Sequence, residues 1–266
     1  MSETSNTPFA VVTGGSNGIG YELAKQLLDN GYDVLIAAED EAHLADAARS
    51  LPGDGSAQVT THAADLSKED GVNSLYQAIG SRPVDVLCVN AGIGLGGAFT
   101  ETDLQTELRM IDLNCRGSVQ LTKLVGKDMV ARDSGKLLFT SSIAATMPDP
   151  FEAVYGSTKV FLRWFGEALR EELKDTNVGV TVLMPSVTDT NFFNRADMLD
   201  TKAGASDKKD DPAVVAKAAF DALMADKDKI VPSLKNKVMA TVADALPDTL
   251  AAKVHRGMSE PGSANA

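Results

Sequence analysis

The apolar run Phe9–Thr13, followed at once by Gly14-x-x-x-Gly18-x-Gly20 and then by Tyr21-Glu-Leu-Ala-Lys-Gln-Leu-Leu, is the stretch that most restricts how this chain can fold. A short unbroken run of apolar, β-branched residues reads as a strand buried on both faces, as in a parallel sheet. The residues after the glycines carry apolar side chains at helical spacing. Glycines between a strand and a helix allow a sharp turn, a close approach of backbone to ligand and tight packing of helix on sheet. The helix start would then offer unpaired N–H groups and a positive dipole end to a pyrophosphate. The spacing differs from G-x-G-x-x-G, and an ordinary glycine-rich turn is the competing reading. The flanking strand and helix favour nucleotide binding.

The same strand-then-helix unit recurs along the chain. Further strands are expected over 33–37, 58–62, 84–89, 136–140, 179–184 and 229–231, and helices over 67–79, 104–130, 153–173 and 213–224. This alternation predicts an α/β fold, a Rossmann-type doubly wound parallel sheet of about seven strands with helices on both faces. Short helices over 233–258 would form a C-terminal extension. A chain of 266 residues with 44% hydrophobic composition suits one domain over 8–258. The polar ends, 1–7 and 259–266, have the composition of disorder. The polar segment 188–211 surrounds Phe192 and Phe193; it is a substrate lid or disordered, and its place beside the ligand edge favours the lid.

Composition removes several function classes. A net charge of -12 and a pI near 4.7 repel nucleic acid and anionic membrane surfaces. A bound phosphate must therefore be held by local backbone geometry. Cys88 and Cys115 form no metal-ligand pattern and read as reduced thiols. His43, His62 and His255 are scattered and read as surface or packing residues, so no metal site is expected. No signal peptide or membrane span is visible, which points to the cytoplasm.

In such sheets ligands bind beyond the carboxyl ends of the strands. Gly14, Asn90, Ser142 and Pro185 all fall at such ends and so share one edge. The second strand ends in Ala38-Glu39-Asp40, where a dinucleotide-binding unit carries the group that reads the adenosine ribose. A carboxylate there accepts from the ribose hydroxyls and repels a 2'-phosphate. With no basic residue at Ser16, Asn17 or Ala38, NAD(H) is favoured over NADP(H). Either carboxylate could instead cap the helix beginning near Glu41.

Tyr155-Gly-Ser-Thr-Lys159 opens the helix over 153–173 and places a phenol and an ammonium one turn apart on one face. A phenol titrates near pH 10 in water, and a nearby cation would bring it toward neutrality. On its own this spacing is common by chance.

With Thr13–Gly20, Asp65-Leu66, Asn90-Ala91-Gly92, Asn114, Ser142, Tyr155-x-x-x-Lys159 and Pro185-Ser-Val-Thr-Asp-Thr190 in this order, the chain resembles a short-chain dehydrogenase/reductase of the compact, single-domain type. The resemblance implies that Tyr155 is the acid/base, that Ser142 steadies the reacting oxygen and that Lys159 lowers the tyrosine pKa and holds the nicotinamide ribose. It implies that Asn114 positions a water that links Lys159 to solvent. Cofactor contacts would come from Gly14, Ser16, Asn17, Gly18, Ile19 and Gly20, from Glu39, Asp65 and Leu66, and from Asn90, Ala91 and Gly92. Tyr155, Lys159, Pro185, Thr188 and Thr190 would meet the nicotinamide end. The chain departs from the family's usual pattern at Ser186, where glycine is common, and at Val89, where a second asparagine is common.

The implied activity is an NAD(P)-dependent oxidoreductase transferring a hydride between the cofactor and a secondary alcohol or ketone. A catalytically silent dinucleotide sensor or scaffold, and a lyase or epimerase on the same fold, are the alternatives. Segments 91–99, 147–153 and 192–209 are expected to line the pocket; their Phe99, Met147, Phe151, Phe192 and Phe193 suggest an apolar or mid-sized substrate. Arg195 is expected at the surface. By analogy with the family, a homodimer or homotetramer is expected.

Overall fold

A computed structural model describes residues 7–51, 57–233 and 247–265. The expectation for the first six residues, and that for 234–246, lie outside the described residues. The chain alternates β1 (Phe9–Thr13), α1 (Gly18–Asp29), β2 (Asp33–Ala38), α2 (Glu41–Ser50), β3 (Val59–Ala63), α3 (Glu69–Ile79), β4 (Val86–Val89), α4 (Leu104–Ile111) and α5 (Ser118–Ala131). It continues through β5 (Gly135–Thr140), α6 (Ala153–Glu172), β6 (Val178–Leu183), α7 (Phe192–Arg195), α8 (Pro212–Met224), β7 (Lys229–Ile230) and α9 (Asp248–Ser259). The strands form one parallel sheet of order β3-β2-β1-β4-β5-β6-β7, the predicted doubly wound architecture.

Side-chain alternation along the strands divides the core between the two faces. Ala10, Val12, Val34 and Ile36 pack with Leu23 and Leu27 of α1 and with Val215 and Ala219 of α8. Val11, Leu35 and Leu87 pack on the other face with Leu75 of α3, Leu121 and Val125 of α5 and Leu162 of α6. Burial of both faces explains why the strands read as continuous apolar runs. The strand order reverses between β1 and β4, and a crevice opens beyond their carboxyl ends.

Two features depart from expectation. The helix predicted over 104–130 is interrupted at Asp112–Gly117 by a π-helical turn, which inserts extra backbone and turns Asn114 fully inward. The end of the chain, expected to be disordered from 259, is instead tied to the 188–211 segment. Gly262 N–H donates to Asp200 Oδ2 at 2.7 Å, Ala264 N–H to Asp200 O at 2.9 Å and Lys202 N–H to Ser263 Oγ at 3.1 Å. The Ser/Gly-rich composition signals little side-chain burial, but backbone and hydroxyl groups supply the bonds.

Candidate active site

The turn after β1 is built around its glycines. Gly14 takes φ +67°, in the left-handed region, and a Cβ on Gly20 would stand 2.2 Å from Gly14 O. Such a Cβ cannot be accommodated, so the turn and α1 pack closer than any other residue allows. α1 begins at Gly18, and its N-cap Asn17 makes no side-chain capping bond; the residues of its first turn, Gly18, Ile19 and Gly20, line the cleft, the position an anion site at a helix start requires. The residues fit a pyrophosphate there. Thr13 ties this turn to β4: its hydroxyl accepts from Asn90 N–H at 2.9 Å and Ala91 N–H at 3.0 Å, and donates to Cys88 O at 3.2 Å.

Of the catalytic and cofactor-contact residues expected from the sequence, all but Asn114 line one cleft of about 310 Å³, within the range of small-molecule sites. At the adenosine end, Glu39 does not stand alone. Arg109 of α4 lies 2.6 Å from Glu39 and 3.5 Å from Asp65. Asp40 caps α2 by accepting from His43 N–H at 2.8 Å. Burial raises the Asp65 carboxyl, but hydrogen bonds from Ser67 and the charges of Lys68 and Arg109 outweigh it and hold the group below its usual range. Arg195, expected at the surface, also lines the cleft. The side chain of Asn90 bridges strand ends, donating to Thr13 O at 3.1 Å and accepting from Thr140 Oγ1 at 3.1 Å.

At the other end, β5 delivers Ser142 and α6 delivers Tyr155 and Lys159. Ser142 Oγ accepts from Ala144 N–H at 3.1 Å, which leaves its own proton free to donate. Lys159 Nζ donates to Thr140 O at 3.0 Å and lies 5.7 Å from the Tyr155 ring centre. The expectation that Lys159 draws the phenol toward neutrality is not met. Burial, and then the Glu152 carboxylate, hold Tyr155 above its usual value; the nearby Ser142 hydroxyl opposes them without prevailing. Burial also brings Lys159 down to about 8. Asn114 is held by Ile93, whose N–H it accepts at 3.0 Å and to whose O it donates at 2.9 Å, and by Thr158 at 2.9 Å.

The 188–211 segment covers this end. Phe192 stacks obliquely 5.1 Å from the Tyr155 ring and meets Phe193 edge-on at 5.4 Å. Where glycine is usual, Ser186 instead donates to the Asp210 carboxylate, and Thr188 donates to Ser186 O at 2.8 Å. The serine therefore ties the strand end to the covering segment. Phe192 and Phe193 line the cleft as expected, whereas Phe99, Met147 and Phe151 do not, and Phe99 is 63% exposed.

Sequence reasoning missed two groups. Arg109 lies 70 residues from Glu39 and carries no local motif. His255, expected at the surface or in packing, stands 2.8 Å from Asp149 and lines the cleft with Glu152, Met258 and Ser259. The expectation that segment 147–153 lines the pocket, met at Glu152, was the signal nearest to it.

The short chain dehydrogenase family model matches residues 8–199, and the chain belongs to that family of oxidoreductases. It is 32% identical over 216 residues to an uncharacterized oxidoreductase of Staphylococcus saprophyticus, a match covering 80% of this chain and 90% of that one. A short-chain dehydrogenase from Sphingobium yanoikuyae in complex with NADPH superposes with TM-score 0.81 at 22% identity, covering 90% of this chain and 92% of that one. A short-chain dehydrogenase/reductase from Burkholderia phymatum in complex with NAD gives TM-score 0.81 at 22% identity, covering 88% and 92%. No helix among the described residues is long and apolar enough to cross a membrane.

Proposed function

We propose that this protein is an NAD(P)-dependent oxidoreductase acting on a secondary alcohol or ketone. The observation that carries the reading is the meeting of Tyr155, Ser142 and Lys159 at one end of a cleft whose other end is the glycine turn. A nicotinamide dinucleotide, held by Gly14–Gly20 residues at its pyrophosphate and by Lys159 at its nicotinamide ribose, supplies the hydride when bound. Ser142 donates to the carbonyl oxygen and steadies the charge that develops there. Tyr155, kept protonated by burial, donates its phenolic proton to the same oxygen. A neutral phenol suits reduction at neutral pH; oxidation needs that proton removed first.

Proton return uses Lys159 and Asn114. A Cβ at Gly92 would lie 3.1 Å from Asn114 Oδ1 and 3.3 Å from Lys159 Nζ, so a glycine at this position lets both groups approach the same stretch of backbone. At the adenosine end Glu39 receives the ribose hydroxyls, which favours NAD(H) over NADP(H). The 188–211 segment acts as the lid, with Phe192 and Phe193 as the apolar wall beside Tyr155. A panel of alcohols and ketones, run with both cofactors and followed at the reduced-nicotinamide absorbance, tests the reading. Stoichiometric cofactor conversion supports it; tight cofactor binding without conversion of any member favours a sensor, and product formation with no net absorbance change favours a lyase or epimerase.

A further inference from the structure

The cleft wall beyond Tyr155 carries ionisable side chains from two distant parts of the chain. Asp149 and Glu152 precede α6, His255 lies on α9, and ligand-capable atoms of the three fall within 4.8 Å of one another. His255 Nδ1 is 2.8 Å from Asp149 Oδ1, and the Ser259 hydroxyl donates to Glu152 Oε2 at 2.8 Å. Asp149 Oδ2 has no hydrogen-bond partner among the described residues. Glu152, His255 and Ser259 line the cleft, while Asp149 stands behind them.

This arrangement is short of positive charge. Two deeply buried carboxylates, 8% and 7% exposed for Asp149 and Glu152, share one imidazole, which leaves one negative charge uncompensated even when His255 is protonated. A buried carboxylate is unfavourable unless it is paired or hydrogen-bonded. The strain falls on Glu152: burial, and then Asp149, push its carboxyl up to about 7. An apolar group pressed against it removes the remaining water and leaves an oxygen without a donor. A donor group supplies the missing bond.

Resting on the ketone and alcohol reading above, we propose that Glu152, braced by Ser259 and the His255–Asp149 pair, is the specificity determinant of the substrate pocket. It accepts a hydrogen bond from an ammonium or hydroxyl group that the substrate carries away from its carbonyl. Glu152 is the residue just before α6, three positions ahead of Tyr155, and both line the same cleft, so the donor group belongs near the reacting carbon rather than at the far end of a long substrate. The substrate class is then a short amino- or hydroxy-ketone, or the matching alcohol, set between Glu152 and the Phe192 and Phe193 wall.

The test uses three ketones of equal size ending in methyl, hydroxyl or ammonium, with the wild-type protein, Glu152→Gln and Glu152→Leu. In the wild type, kcat/KM for the donor-bearing ketones is expected to exceed that for the methyl ketone by about tenfold or more, mainly through KM. Glu152→Gln should keep part of the hydroxyl preference and lose the ammonium preference, and Glu152→Leu should bring both ratios to one or below. Equal kcat/KM for all three ketones in the wild type, or ratios unchanged in both variants, overturns the proposal. The melting temperature of the cofactor-loaded protein with each ketone reads binding apart from turnover. If no ketone is turned over, the oxidoreductase reading fails; a melting shift given only by donor-bearing ketones, and lost in Glu152→Gln or Glu152→Leu, still upholds the Glu152 site, and equal shifts overturn it.

Discussion

Arg109 reaches across from α4 to lie 2.6 Å from the Glu39 carboxylate at the end of β2. The acid proposed to receive the adenosine ribose is therefore matched by a base beside it in the same cleft. Both side chains are substantially exposed, 62% for Glu39 and 41% for Arg109, so the pair contributes little to stability and its consequence lies in cofactor choice.

The wild-type protein should saturate at lower NADH than NADPH. Glu39→Ala removes a repulsive carboxylate and releases Arg109 toward a 2'-phosphate, a charge-assisted contact worth about 1.5 to 3 kcal/mol. The KM for NADPH should fall roughly tenfold or more, with a smaller rise in that for NADH. Steady-state kinetics with both cofactors checks this; an unchanged NADPH to NADH ratio contradicts it.

The glycine turn yields a matched pair of substitutions. Gly20→Ala places a methyl 2.2 Å from Gly14 O, whereas Gly126→Ala, inside α5, meets nothing within 4 Å. The first should disrupt the turn and weaken dinucleotide binding at least tenfold; the second should stabilise the protein by about 0.5 to 1 kcal/mol. Cofactor titration and urea unfolding of the two variants separate these effects.

The fold was legible because its inner strands are buried on both faces. Runs such as Phe9–Thr13 and Val178–Leu183 are too short for a helix and rich in β-branched residues, and glycines or prolines follow them. That Ser142, Tyr155 and Lys159 would meet in one cleft was legible from their spacing and their places at strand and helix ends. What escaped were contacts between residues far apart: Arg109 with Glu39, 70 positions away, and His255 with Asp149, more than a hundred positions away. The Tyr155 titration was misread because its spacing from Lys159 shows a neighbouring charge but shows neither the burial of the phenol nor the carboxylate of Glu152. The tail at 259–265 was misread because its composition does not show that Asp200 accepts from its backbone.

Lys159 should leave a pH signature in stability. Its folded-state pKa, lowered by burial to about 8, lies below the ordinary 10.5. Between these values the unfolded chain binds more protons than the folded one, so the contribution of Lys159 to stability rises as pH climbs from about 8 toward 10.5. Urea unfolding of the cofactor-free protein at pH 8 and pH 10 should show the wild type gaining on Lys159→Met; a gap that shrinks with pH contradicts the depressed lysine.

Tyr155 is the group proposed to carry the proton. That role is tested most directly by Tyr155→Phe, assayed for cofactor binding by fluorescence titration and for turnover on the best substrate of the panel. The cofactor Kd should stay within a few-fold of wild type while kcat falls by about 10² to 10⁴. Near-native turnover in the variant would contradict it.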